Sequence, residues 1–220
     1  MGPPATISTV VTPAASPNLV DIATVKMMLG LTDTSADAFL ALLIPQASAA
    51  AANFTNNKFV VETILDQIFP GRDGRPWTLR TAIAPLQLSR WPLVSVGSVI
   101  ETIAGTPTTL ISGTDYLVDA VNGQLVRLDS FGFPRAWGSD PVAVTFTAGF
   151  AAIPFEVVAA VVEIVKIAYY AQGRDPMVRS QNAPGVFEQA FWFGNGPGVD
   201  NELPPSIAGK LLNYRMPVVA

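Results

Sequence analysis

The chain has 220 residues, half of them apolar, with 13 basic against 17 acidic side chains and a formal charge of −4. It contains neither histidine nor cysteine, which excludes Ser-His-Asp and Cys-His catalysis, imidazole proton shuttling, disulfides and zinc sites of the common ligand types. Charged residues are only 14% of the chain and mean hydropathy is +0.38, so a protein partner is expected to cover apolar surface that a single copy would leave to water.

Residues 1–18 read as an extended N-terminal arm. Pro3, Pro4, Pro13 and Pro17 among Thr, Ser and Ala oppose a helix and favour extended backbone, and the stretch lacks the basic start and continuous apolar run of a signal peptide. The arm is expected to order when something binds it. From Leu19 to Leu31 the pattern turns helical, with Val25, Met28 and Leu29 on one side and Gly30 as a stop.

Thr34 and Asp37 then stand at capping-box spacing before Phe39, Leu40, Leu43, Ile44 and Ala47, predicting a first long helix that runs to about Phe54. Pro45 is expected to bend it, and Ala47, Ala50 and Ala51 to let another helix approach closely. Between Asn56 and Gly149 the periodicity becomes alternating, which predicts β-structure. Its plainest element is a hairpin of Tyr116-Leu117-Val118 with Leu125-Val126-Arg127, turned at Asn122-Gly123. Val142, Val144 and Phe146 predict a strand with one buried face.

After Pro154, Val157, Val161, Ile164, Val165 and Ala168 form a helical stripe, and Val158, Val162 and Ile167 leave little polar face, so burial on several sides is expected. Glu156, Glu163 and Lys166 would be costly at the centre of a bilayer, and no membrane contact is expected. Gly173 is the predicted end. A Gly-, Pro- and Asn-rich loop carrying Phe187, Phe191, Trp192 and Phe193 follows, then a last short helix from Pro205 to Tyr214. The fold class expected is α+β: a core of about four helices with an inserted antiparallel β portion and extended termini.

Candidate chemistry is sparse. Gly194-Asn195-Gly196-Pro197-Gly198 has no strand before it and no Lys-Ser or Lys-Thr after it, and reads as a loop rather than a phosphate cradle. Gly209-Lys210 lacks Walker spacing. Asp115 and Asp119 stand where aspartate forms turns, and Glu163 precedes Lys166 by one helical turn as an ion pair would. Arg72, Arg75, Arg80 and Arg90, interleaved with Trp77 and Trp91, suit either nucleic acid or a partner's carboxylates. The aromatic group Phe187, Phe191, Trp192 and Phe193 beside flexible glycines is either a local core plug or an interface anchor; the low charge of the chain favours the second, which makes it the clearest partner signal and a candidate subunit interface.

The order of segments resembles the phage gp6-like head-tail connector proteins. The resemblance rests on Leu19 to Lys26 with Leu29-Gly30-Leu31, Ala52 to Phe59, Leu88 to Val99, Asp115 to Asp119 with Asn122 to Leu125, Val144 to Phe150 with Ile153-Pro154, Arg174-Asp175-Pro176, Leu203-Pro204 and Tyr214 to Pro217. No piece is diagnostic alone; their order over most of the chain is fairly specific. Pro45, the proline-rich arm and Asn56-Asn57, where the family often has Gly-Arg, depart from the pattern.

The resemblance implies a virion structural protein without enzymatic activity or cofactor. It would form a dodecameric ring at the portal vertex, binding portal protein above and a stopper or tail-completion protein below, with DNA passing through the lumen unread. Assembly would take place in the host cytoplasm. One adaptor domain over residues 19–217 is implied, with helices at about 19–58 and 154–214, a β insertion at about 60–149, and a portal-docking segment at 203–220. Its candidate contacts are Leu203, Pro204, Leu211, Leu212, Tyr214, Arg215 and Met216, and truncation after Leu203 is expected to leave a folded domain that no longer attaches. An acidic lumen would repel DNA phosphates. The rival readings are a tail-associated β-rich module that stacks Trp77, Trp91 and Trp137 on a glycan, and a hydrolase using carboxylates alone.

Overall fold

A computed structural model describes residues 5–69, 85–138, 140–172, 180–183, 187–190 and 203–216. The chain divides into two compact units, residues 1–16 with 58–152 and residues 17–57 with 153–220. Helices and antiparallel sheets are both present, so the fold is α+β as the change of periodicity at Asn56 predicts.

The first unit holds β1 (Ala5–Thr12), β2 (Glu62–Phe69), β3 (Leu86–Gln87), β4 (Leu93–Ile103), β5 (Thr106–Thr109), β6 (Tyr116–Asp119), β7 (Gln124–Leu128), β8 (Pro134–Arg135) and β9 (Val142–Ala148). One antiparallel sheet has the order β1-β2-β9-β4-β5; a second runs β3-β7-β6, with β8 also on β7. Strand β9 is central in its sheet, and Val142, Val144, Phe146 and Ala148 are buried while the residues between them are half-buried, the alternation a pleated strand imposes. The core draws on both sheets, from Ile64, Ile68 and Val99 to Leu86 and Leu125, around Trp137.

The predicted hairpin is present: Tyr116 pairs with Arg127, Leu117 with Val126 and Val118 with Leu125. Asp119 stabilises its turn by accepting from the backbone N–H of Asn122 at 3.2 Å and from its side-chain amide at 2.7 Å. Gly123 is required twice over. Its φ is +65°, and a Cβ there would sit 2.8 Å from the Cβ of Trp91.

One expectation changes here. The segment read as a free arm is edge strand β1, paired antiparallel with β2 from Ala5 opposite Phe69 to Val10 opposite Ile64 and, after a bulge at Val11, Thr12 opposite Thr63. The reason is compositional: between the prolines lies Thr-Ile-Ser-Thr-Val-Val-Thr, a β-branched run that suits a pleated ladder.

The second unit holds α1 (Ile22–Leu29), α2 (Asp37–Thr55), α3 (Phe155–Tyr170) and α4 (Pro205–Leu211), a 3-10 turn over Leu212–Tyr214, and the hairpin β10 (Ser180–Ala183) and β11 (Phe187–Ala190). Helix α1 is capped by the Asp21 carboxylate, which accepts from the Thr24 N–H at 2.6 Å, and is closed by Gly30 in the left-handed conformation. Helix α2 lacks the expected capping box. Ala36 is its cap residue, Thr34 offers its carbonyl to the Asp37 N–H, and the Asp37 carboxylate instead takes the Lys26 ammonium at 2.7 Å. Pro45 lies inside α2, which continues through it.

Among the described residues α2 is the one helix long and apolar enough to cross a membrane. Here it packs on α3 and α4, with Leu40, Ile44, Ala47, Ala51 and Thr55 buried. Its end accounts for the Asn-Asn pair at 56–57. Asn56 takes the left-handed position (φ +49°) that glycine would otherwise fill, and Asn57 turns inward and donates its amide to the Tyr214 carbonyl at 3.3 Å. The short hairpin β10–β11 stands where a plain loop was expected; its strands are mostly polar and carry no alternating apolar signal.

Candidate interaction surfaces

The candidate catalytic carboxylates are occupied with local structure. Asp115 accepts from the Ile111 N–H at 2.8 Å, and Asp119 closes the hairpin turn at the other end of β6. The hydrogen bonds from Asn122 hold the Asp119 carboxyl below its usual range. On α3, Glu156 accepts from the Tyr214 hydroxyl at 3.0 Å. Glu163 takes the Lys210 ammonium and the Ser206 hydroxyl, not Lys166 as its spacing predicts. These donors hold the Glu163 carboxyl below its ordinary value, Lys210 first and Ser206 after it. Two acidic residues of α3 therefore fasten the C-terminal segment. Among the described residues no three carboxylates gather as a metal site.

Arginines and tryptophans are likewise distributed. Arg90 pairs with Glu62. Arg127 is buried between the sheets: it donates to Glu101 at 3.2 Å and to the Asp115 carbonyl at 2.6 Å, and its guanidinium lies over the Trp137 ring. Trp137 is itself a core residue, its indole N–H given to the Leu125 carbonyl at 3.1 Å, so it presents no face to a sugar. Arg72, Arg75, Arg80 and Trp77 lie outside the described residues.

The C-terminal candidates separate into two groups. Leu203, Leu211 and Met216 are buried, and the Met216 N–H donates to the Thr55 carbonyl at 2.8 Å, so these three serve the packing of their own unit. Leu212 and Arg215 are exposed, Arg215 with its guanidinium over the Phe54 ring, while Pro204 and Tyr214 are half-buried. Partial burial and the bond to Glu156 raise the Tyr214 pKa. Of the aromatic group, Phe187 starts β11, and Phe191, Trp192 and Phe193 lie outside the described residues.

A second aromatic display lies in the first unit, between β7 and β8. Phe131 is 85% and Phe133 67% exposed, yet the loop carrying them is tied by several hydrogen bonds. The Asp129 carboxylate accepts from the N–H of both Phe131 and Phe133 at 2.9 Å, the Asp129 N–H donates to the Phe133 carbonyl at 2.9 Å, and Gly132 closes the turn at φ +82°. Exposed Ile111 belongs to the same end of the sheet, since Asp115 bonds both Ile111 and Leu128. Two phenylalanines held in water by a preformed loop are the arrangement of an anchor. Asp129-Ser130-Phe131-Gly132-Phe133-Pro134 has the turn-forming and aromatic composition that singled out Phe187 to Phe193, so the signal was present in the sequence.

The model of the phage gp6-like head-tail connector proteins matches residues 20–87. The chain is similar to a connector over that stretch. Among solved structures, a chain of the neck of a native gene transfer agent particle computed with C12 symmetry matches at 18% identity and a TM-score of 0.55, covering 97% of both chains. Chains from the virion of a native gene transfer agent particle (16% identity, TM-score 0.56) and from the neck of an empty particle computed with C6 symmetry (18%, 0.54) match with the same coverage. The shared fold extends over 97% of each chain. No curated protein matches the sequence.

Proposed function

We propose that the chain is a structural protein of a virion neck: an adaptor that joins copies of itself into a ring of 12, binds the portal, lengthens the DNA channel and carries the next neck or tail component. The observation that carries this reading is the fold shared over 97% of both chains with a protein of a C12-symmetric neck. The connector match on residues 20–87 supports it independently. In this role the protein resides in the particle and catalyses nothing.

The physical chemistry is consistent with a ring. A chain with 14% charged residues that leaves Phe131, Phe133, Phe155 and Met27 in water has apolar area for a neighbour to cover, and a heterologous contact whose rotation divides the full circle closes into a ring. Phe187, Phe191, Trp192 and Phe193 remain candidates for the subunit interface. For the portal contact, Leu212 and Arg215 are best placed, with Pro204 and Tyr214 beside them, because the buried Leu203, Leu211 and Met216 are already engaged. Net acidity suits a lumen that lets DNA pass.

The test mixes the purified chain with portal rings of its own particle and images the product by electron microscopy. The reading expects a collar of extra density on one end of each portal ring. Bare portal rings at saturating chain would refute it.

A further inference from the structure

Strand β1 stands apart from the unit it completes. Every side chain from Thr6 to Thr12 is exposed, Ile7, Val10 and Val11 included, so among the described residues β1 is held by its backbone ladder to β2 and by one side-chain latch. In that latch the Ser8 hydroxyl donates to Oδ1 of Asp66 at 2.6 Å. Asp66 is fully buried and also takes the Ser89 hydroxyl and N–H, each at 2.8 Å. A buried carboxylate needs its donors, so the place beside β2 calls for a strand with a hydroxyl at that register. Nothing in that chemistry requires the strand to come from the same chain.

The covalent path of β1 leads elsewhere. Pro13-Ala14-Ala15-Ser16-Pro17 runs directly into the helical unit, while the rest of the β unit begins at residue 58. The two sheet edges also differ. Strand β5 is four residues long and contains Pro107, the usual protection of an edge, whereas β1 has neither proline nor charge over eight residues and carries a single bulge at Val11, next to its last residue. A proline-framed linker feeding an uncharged, β-branched strand is the anatomy of an exchangeable element.

We infer that on assembly β1 crosses to the adjacent copy and fills the place beside that copy's β2, so that Ser8 of one copy latches onto Asp66 of the next. The occupant is a second copy of this chain. This rests on the ring reading above. Exchange repeats the same ladder and the same latch, so it sacrifices few contacts, and every crossing ties two copies together at the high effective concentration of a closed ring. Each copy gives one strand and takes one, the head-to-tail relation that cyclic symmetry requires.

Because the chain has no cysteine, an introduced pair is unambiguous. Ile7 and Gln67 are register partners and both are exposed, and directly opposed antiparallel residues lie within the span of a disulfide. The full chain carrying Ile7→Cys and Gln67→Cys is assembled into rings under reducing conditions, oxidised and run on a denaturing gel without reductant. Exchange predicts a ladder of covalent multimers. Rings that yield only intrachain-bonded monomer overturn the exchange and leave the ring reading standing, whereas a wild-type chain that forms no ring overturns both. As a second readout that needs no double variant, Ile7→Cys chains are mixed with Gln67→Cys chains before assembly. A cross-linked dimer of the two supports exchange, and its absence from intact mixed rings refutes it.

Discussion

The loop from Asp129 to Phe133 gives the sharpest separation between folding and assembly. With Phe131 85% and Phe133 67% exposed, truncating either to alanine removes little buried area from the single chain, and surface changes of this kind stay within about 0.5 kcal/mol. For a chain of this length that is a melting shift of about 2 °C or less. If this loop sits at a subunit contact of the proposed ring, each phenyl group there is a buried anchor, worth about 2 kcal/mol or more, which is roughly thirtyfold in association. Thermal melts of dilute subunit and sedimentation velocity across a concentration series measure the two quantities on the same preparations. Phe131→Ala and Phe133→Ala should move the assembly midpoint and leave the melt in place. Asp129→Ala, which keeps both rings but removes the acceptor of two backbone N–H groups, should weaken assembly by a smaller factor through lost preorganisation. A large drop in subunit melting temperature, or an unmoved assembly midpoint, would refute the assignment.

Arg127→Met should cost the β unit about 3–5 kcal/mol in urea melts, since it strands the buried Glu101 carboxylate. Combining it with Glu101→Leu should restore most of that, and a double variant as unstable as the single one would contradict the pairing. Truncation after Leu203 removes Ile207 and Leu211, both fully buried, and should unfold the helical unit, read as lost helical circular dichroism. Leu211→Ala alone should cost about 2–5 kcal/mol. Glu163 has a lowered carboxyl pKa because Lys210 and Ser206 bond its ionised form. Its contribution is therefore fully present above the ordinary value of 4.5 and lost as pH falls through the lowered one. Glu163→Gln should flatten the acid side of the stability-against-pH curve in that window, and an unchanged curve would remove the contact from the account.

Much of the fold was legible because its signals are local. Gly30 and Pro154 punctuate helices, Asn122-Gly123 forces a turn, and Val142, Val144 and Phe146 alternate; each is decided within a few residues. What the sequence concealed depends on distant partners. Ser8 meets Asp66 across 58 positions, so a β-branched run between prolines looked like a free arm. Glu163 looked paired with Lys166 on its own helix until α4 brought Lys210 against it. Leu211 and Met216 were apolar residues near the C-terminus, and apolarity does not distinguish a docking face from a core. Asp129 to Phe133 was readable as an aromatic turn, but exposure had to be seen before it could be weighed.

The central claim is that copies of this chain form a closed ring in a particle's neck, between portal and tail. Particles carrying an affinity tag after Ala220, labelled with a tag-specific Fab fragment and imaged by electron cryomicroscopy, measure that directly. The account predicts Fab density at the portal vertex alone, in 12 copies about the tail axis. Label spread over the shell, found at the distal tail, or absent from purified particles would contradict it.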